Sequence, residues 1–285
     1  HVKGQILAIL DEYDIGYVKW DHNRDLIEAG TQPDGGRPGV HAQTLAVYRL
    51  LDEIRAAHPG LEIESCSSGG ARVDLEVLTR TDRVWVSDNI DPHDRQQMLR
   101  WTTQLIPPEY MGSHIASGRS HTTGRRHDLG FRAATAVFGH LGVEWDLARA
   151  SAAELAELGE WIAFYKRERD LLLSGDLVRM DGYDDRTLVH GVVAPDRSRA
   201  LFALVALDSQ YPDPGGPLRL RGLDDDRLYR IRPLTVGPAP ELWPPRWWGD
   251  DRAGDVFSGA VLAHAGVAVP RIHPDQVVLF RVEAA

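Results

Sequence analysis

The chain has 285 residues, 43% apolar and 26% charged, a balance that excludes wholesale disorder and leaves room for one large barrel or two domains. A formal net charge of -10 argues against nucleic acid or anionic lipid as partners. The single cysteine, Cys66, excludes a disulfide framework within the chain and favours a cytoplasmic setting. No stretch is apolar enough for long enough to predict a membrane span. No basic-then-apolar leader opens the sequence, although it begins at His1 rather than at Met.

The first third alternates helix-like and strand-like patterns. Residues 3–12 read as a helix and residues 15–21 (IGYVKWD) as a short strand ending in polar residues. Residues 42–57 place Leu45, Val47, Leu50, Leu51 and Ile54 at helical spacing, and Pro59 and Gly60 end that helix. Residues 61–66 are the next strand, a helix follows with Val73, Val77 and Leu78 on one face, and residues 83–88 (RVWVSD) are the third strand. This βαβαβ rhythm predicts a parallel sheet with helical crossovers. It continues with strands at 109–115 and 141–146, a helix at 129–139, and a long helix at 151–173 with Ser151 and Glu154 as its capping box and Gly175 as its stop.

After Gly175 the character changes. The runs LVHGVVA, RALFALVAL, LRLRGL, RLYRIRPL and QVVLFRVEA are strand-like and separated by Pro, Asp and Gly. They predict an antiparallel β domain over residues 176–285 behind an α/β domain over 1–175. The proline-rich tract 236–250 reads as a loop that packs its tryptophans on the domain edge.

Three polar clusters stand at the C-terminal ends of predicted parallel strands: Lys19–Asp21–Asn23, Cys66–Gly69–Gly70, and Ser87–Asp88–Asn89–Asp91. Active sites of α/β barrels are built at that end. An aspartate in such a place also serves as an ordinary helix cap. Lys19 and Asp21, two residues apart on a strand, point the same way. A neighbouring ammonium favours the ionised carboxylate, which suits a nucleophile. Asp88 ends a different strand, so the two carboxyls can face each other across a pocket, as sugar hydrolysis requires. The histidines are scattered, with no H-E-x-x-H pair and no thiolate cluster, so neither a metal nor a nucleotide cofactor is expected. Nothing in the sequence places a base beside Cys66, which is expected to line the pocket wall.

At these residues the sequence resembles the α-galactosidases of glycoside hydrolase family 36. The segments YVKWDHNRD, ESCSSGGARVD, VWVSDNIDPHDRQ, PPEYMGSHI, SHTTGR, FRAATAVFGHLGVEWDL and FYKRERDLLLSGDL carry the resemblance, in order, across most of residues 1–180. It implies that Asp21 is the nucleophile and Asp88 the general acid/base of a retaining enzyme. It implies further that Lys19, Asn23, Cys66 and Gly69 contact the sugar, and that the substrates are terminal α-linked galactosides. The fold implied is strands four to eight of a (β/α)8 barrel followed by an antiparallel β-sandwich.

In that family a β-sandwich and three further barrel strands precede the nucleophile. Here they have no counterpart, so the chain is expected to associate, either with itself or with the missing barrel half. The remaining alternatives are an α-N-acetylgalactosaminidase, which needs more room near Cys66 and Gly69, and a truncated, non-catalytic sugar-binding or structural fragment.

Overall fold

The computed structural model describes residues 1–24, 29–180, 185–212, 215–249 and 253–285. Two compact units compose the chain: His1–Asp88 with Tyr110–Gly112, and Asn89–Glu109 with Ser113–Ala285.

In the first unit, helix α1 (Val2–Glu12) precedes β1 (Tyr17–Asp21). A small hairpin, β2 (Gly30–Thr31) with β3 (Arg37–Pro38), comes before α2 (Val40–Ala57). Then follow β4 (Glu62–Cys66), the single-turn α3 (Leu75–Leu78) and β5 (Arg83–Trp85). The core is built by one face of each helix against the strands: Leu10 from α1, Tyr48, Leu51 and Ile54 from α2, and Ile63 from β4 are all buried. The helix at 40–57 thus follows from the spacing of its apolar residues. Asp74 starts α3 by accepting from the Val77 N–H, and Tyr48 donates to the same carboxylate.

The second unit opens with α4 (Pro92–Thr102), capped by Asp91, whose side chain accepts from the backbone N–H groups of His93 and Asp94. Strand β6 (Met111–Ala116) begins in the first unit, and α5 (Leu129–Ala136), β7 (His140–Glu144) and α6 (Ala152–Ser174) follow in the second. The Ser151–Glu154 capping box and the stop at Gly175 both form as expected. The parallel sheet runs in the order β1-β4-β5-β6-β7, with β1–β4, β4–β5 and β5–β6 paired in parallel. This is the order of consecutive β/α units in part of a (β/α)8 barrel.

The antiparallel region holds β8 (Asp176–Arg179), β9 (Thr187–Val193), β10 (Arg199–Ala206), β11 (Leu228–Leu234), β12 (Leu242–Trp243), β13 (Asp255–Ser258), β14 (Arg271–Ile272) and β15 (Gln276–Ala284). Six of these form one sheet, ordered β13-β11-β15-β10-β9-β8, while β12 and β14 form a separate pair. Successive residues of β10 serve opposite faces. Leu201, Ala203 and Val205 join a core with Phe164, Leu171 and Leu172 of α6; Phe202, Leu204 and Ala206 join one with Leu262, Trp247 and Trp248. Burial on both faces explains why the run RALFALVAL shows no polar alternation.

Three expectations need correction. Glu109 and Tyr110 lie in a 3-10 turn, so the fourth strand starts at Met111. The run LRLRGL is no strand: Leu218 makes one isolated bridge to Val267, and Leu220 donates to the Leu262 carbonyl. Its neighbour there is the π-turn Val261–Ala265, which offers no extended edge to pair with. Finally, Trp247 and Trp248 of the proline-rich tract are buried against Phe280 within the core, and only Trp243 is exposed.

Candidate active site

Strand β1 pairs with β4 in a register that sets Lys19 opposite Glu64 and Asp21 opposite Cys66. Asp21 is exposed at the strand end. Asn23 Nδ2 donates to its Oδ2 at 2.9 Å. The same asparagine accepts the Ser68 backbone N–H at 2.6 Å, so it ties Asp21 to the loop after β4. Partial burial opposes charge on Asp21. Asn23, the Cys66 thiol, the His22 N–H and the Lys19 ammonium outweigh it and hold the carboxyl below the usual carboxylate range. Burial, countered in part by the Gly69 N–H and assisted by Asp21, pushes the Cys66 thiol up to about 11. Cys66 is therefore a neutral donor to Asp21 and no thiolate nucleophile.

Asp88, expected as the last residue of a strand over 83–88, instead lies three residues beyond β5, which stops at Trp85. Trp85 Nε1 donates to its Oδ1 at 3.0 Å. The Cys66–Gly70 loop reaches this position through main chain alone. A Cβ on Gly69, whose φ is +79°, would stand 2.7 Å from Ser87 Cα and 2.9 Å from the Asp88 nitrogen; one on Gly70 would stand 2.6 Å from the Val86 oxygen. Asp21, Asn23, Cys66, Gly69 and Asp88 thus form one connected neighbourhood.

The rest of the third cluster has another task. Asp91 is fully buried as the cap of α4 and accepts from Thr123 and Arg125, while Arg125 also pairs with Asp94 at 2.8 Å. Asn89 donates to Asp94 and accepts the Asp91 N–H. Among the described residues, no group of three or more His, Cys, Asp or Glu side chains could hold a metal ion, and no helix is long and apolar enough to cross a membrane.

Sequence reasoning passed over four contributors. Arg72 donates to the carbonyls of Trp20 and Cys66 and so clamps the ends of β1 and β4. Glu64 and Trp85 flank Lys19, and Tyr17 donates to Glu64. For Glu64 a signal existed: a carboxylate inside a predicted buried strand demands a partner.

The sequence profile of the Melibiase family matches residues 1–175, and that of the glycosyl hydrolase family 36 C-terminal domain matches residues 187–281. The chain belongs to glycosyl hydrolase family 36. Among family 36 relatives, an α-galactosidase of Escherichia coli is 39% identical over 293 residues, covering 100% of this chain and 40% of that protein. α-Galactosidase AgaA of Geobacillus stearothermophilus is 31% identical, covering 98% of this chain and 36% of the relative. The crystal structure of an AgaA variant with 1-deoxygalactonojirimycin superposes with a TM-score of 0.87 over 100% of this chain and 38% of that one. A second AgaA variant, in complex with raffinose, gives the same TM-score at 30% identity. This chain therefore spans about two fifths of the length of these relatives.

Proposed function

We propose that this chain carries the catalytic carboxylates of a retaining α-galactosidase, which releases terminal α-linked galactose from oligosaccharides by double displacement. The observation that carries the reading is the environment of Asp21: an exposed carboxylate whose proton affinity is lowered by three hydrogen-bond donors and an ammonium. Related enzymes crystallised with raffinose and stachyose support the substrate class.

In this mechanism Asp21 attacks the anomeric carbon from the face opposite the leaving oxygen. The glycosidic C–O bond breaks as Asp88 donates its proton to that oxygen, and a glycosyl ester on Asp21 remains. Asp88, now a carboxylate, removes a proton from water. The water attacks the anomeric carbon, the ester bond breaks, and Asp21 is regenerated. Two inversions give α-galactose. Direct attack calls for the two carboxyls to stand roughly 5–5.5 Å apart. Lys19, Asn23, Cys66 and Gly69 bind sugar hydroxyls in this reading, and the catalytic part ends at residue 175 with the β domain behind it.

The test is proton NMR of the first sugar released, together with azide addition to two variants. Asp21→Ala loses turnover for every leaving group. Asp88→Ala recovers its first step with an activated aryl galactoside, and azide then yields galactosyl azide of the α configuration. β-Galactose as first product, or azide rescue confined to Asp21→Ala, overturns the assignment.

A further inference from the structure

Glu64 is a buried carboxylate, its side chain 2% exposed, on a strand whose other buried residues, Ile63, Ser65 and Cys66, are apolar or small. Its Oε2 accepts from the Tyr17 hydroxyl at 2.7 Å. Its Oε1 lies 3.5 Å from Lys19 Nζ, an ion pair that makes no hydrogen bond. The strand register explains both contacts: Lys19 is directly opposite Glu64, and Tyr17 is on the same side of β1, two residues earlier. The space that Glu64 fills is left by Gly112, where a Cβ would come within 2.8 Å of Oε2 and 3.2 Å of Trp85 Cε3.

A lysine is a point charge on a four-carbon stem, with much rotamer freedom and no fixed geometry of its own. Lys19 is nonetheless engaged from two sides. Glu64 pairs with it, and the Trp85 ring lies beneath it, with Nζ 4.3 Å from the ring centre. Its influence on Asp21 is the smallest of those that favour the charged form. An ammonium free to swing would close onto Asp21, the nearest exposed carboxylate two residues along the strand, and occupy the oxygen meant for the sugar.

We propose that Glu64 is a positioning residue, which, braced by Tyr17, holds the Lys19 ammonium over Trp85 so that it faces the sugar site without pairing with Asp21. This deepens the α-galactosidase reading and rests on it for the meaning of Asp21. Tyr17 is a fixed donor in the arrangement, because burial and the adjacent Glu64 push its hydroxyl pKa far up and keep its proton in place.

The chain offers a direct readout that needs no turnover. It has three lysines, Lys3, Lys19 and Lys166, so trace acetylation followed by peptide mass spectrometry reports Lys19 against two internal standards. Glu64→Gln keeps the shape and an acceptor for Tyr17 but removes the charge. Made in an Asp21→Asn background, where the released ammonium finds no second carboxylate to close onto, it should raise acetylation of Lys19 relative to Lys3 and Lys166 by about threefold, the scale of a part-exposed ion pair. Glu64→Asp, which restores the charge on a shorter stem, should return part of that protection. Tyr17→Phe should give a smaller increase of the same sign. In that background, a Glu64→Gln variant with native circular dichroism and unchanged Lys19 labelling overturns the proposal. Should that variant fail to fold, unchanged labelling in Tyr17→Phe overturns it equally. The same labelling changes in a full-length enzyme that, with Asp21 intact, hydrolyses no galactoside would remove the proposed function and leave the Lys19 clamp standing.

Discussion

Where β1 and β4 meet, the facing side chains are Lys19 and Glu64, with Tyr17 and Cys66 on either side. Where β10 and β15 meet, Phe202 faces Phe280 and Ala203 faces Leu279. The two pairs of strands have equally regular hydrogen-bond ladders. In the antiparallel sheet these facing pairs are apolar and fill volume. In the parallel sheet Lys19 and Glu64 meet through charge, at a position where the lysine is partly exposed. The first arrangement supplies stability, and the second supplies a chemical environment.

Four measurements would break or sharpen this contrast. The largest effect belongs to the apolar sheet. Phe202 is fully buried between β9, β15 and the tryptophan layer, so Phe202→Ala should cost about 3–5 kcal/mol in urea unfolding. A loss below about 1 kcal/mol would mean that this core is loosely packed.

Next comes acid sensitivity. Burial lowers the pKa of His190, edge-on to Phe138, from 6.5 to about 4. The unfolded chain therefore takes up this proton first, so stability is whole above about pH 6.5, falls as the pH drops from there to about 4, and levels off below. The loss is on the order of 1–3 kcal/mol, reduced by partial exposure of the residue. His190→Gln should flatten that part of the curve, read as urea midpoints at pH 7 and pH 4.5. Asp275 adds a lower limb. Burial opposes its charge, but His127 and His93 outweigh burial and lower its pKa, so stability from it is lost only as the pH falls below the ordinary aspartate range.

A smaller effect is expected at the start of α6. Ser151→Ala removes one arm of the capping box and should cost about 1 kcal/mol. The smallest tests the other half of the contrast. Lys19 is about one-third exposed and Glu64 keeps its hydrogen bond from Tyr17, so Lys19→Met should lower stability by less than about 1 kcal/mol, while under the proposed function it should weaken sugar binding strongly. A strongly destabilised Lys19→Met would show that the polar interior also holds the fold together.

Much of this organisation was legible in the chain. The helix over Val40–Ala57 and the capped helix from Ala152 to Ser174 follow from spacing and end signals, which are local properties. Asp21 and Asp88 stood out because each follows a strand-like run and precedes a loop. The family resemblance and its place at the strand end tell Asp88 from Asp91, and the residue pattern carries no sign of what Asp91 does. Both are aspartates after the same strand, yet Asp91 turns inward to cap a helix while Asp88 stays exposed, and three residues of loop decide between them. Glu64 was hidden for a different reason. Its partners are 47 and 45 residues away, on a strand whose register only the folded sheet defines. LRLRGL is no strand because its leucines are buried by side-chain packing with one isolated bridge and no ladder.

The contact between Gly69, Gly70 and the backbone at residues 86–88 also bears on how such a site can change over generations. Most positions in a pocket wall can explore new side chains one at a time, each trial altering what the wall recognises. Here the wall between two neighbouring loops is made of peptide groups in mutual contact, and every substitution at either glycine acts first as a wedge. Side-chain change is left to the neighbouring positions of the same loop, Cys66, Ser67 and Ser68. The spacing between one strand end and the next, and with it the placing of Asp88, is inherited as a fixed dimension.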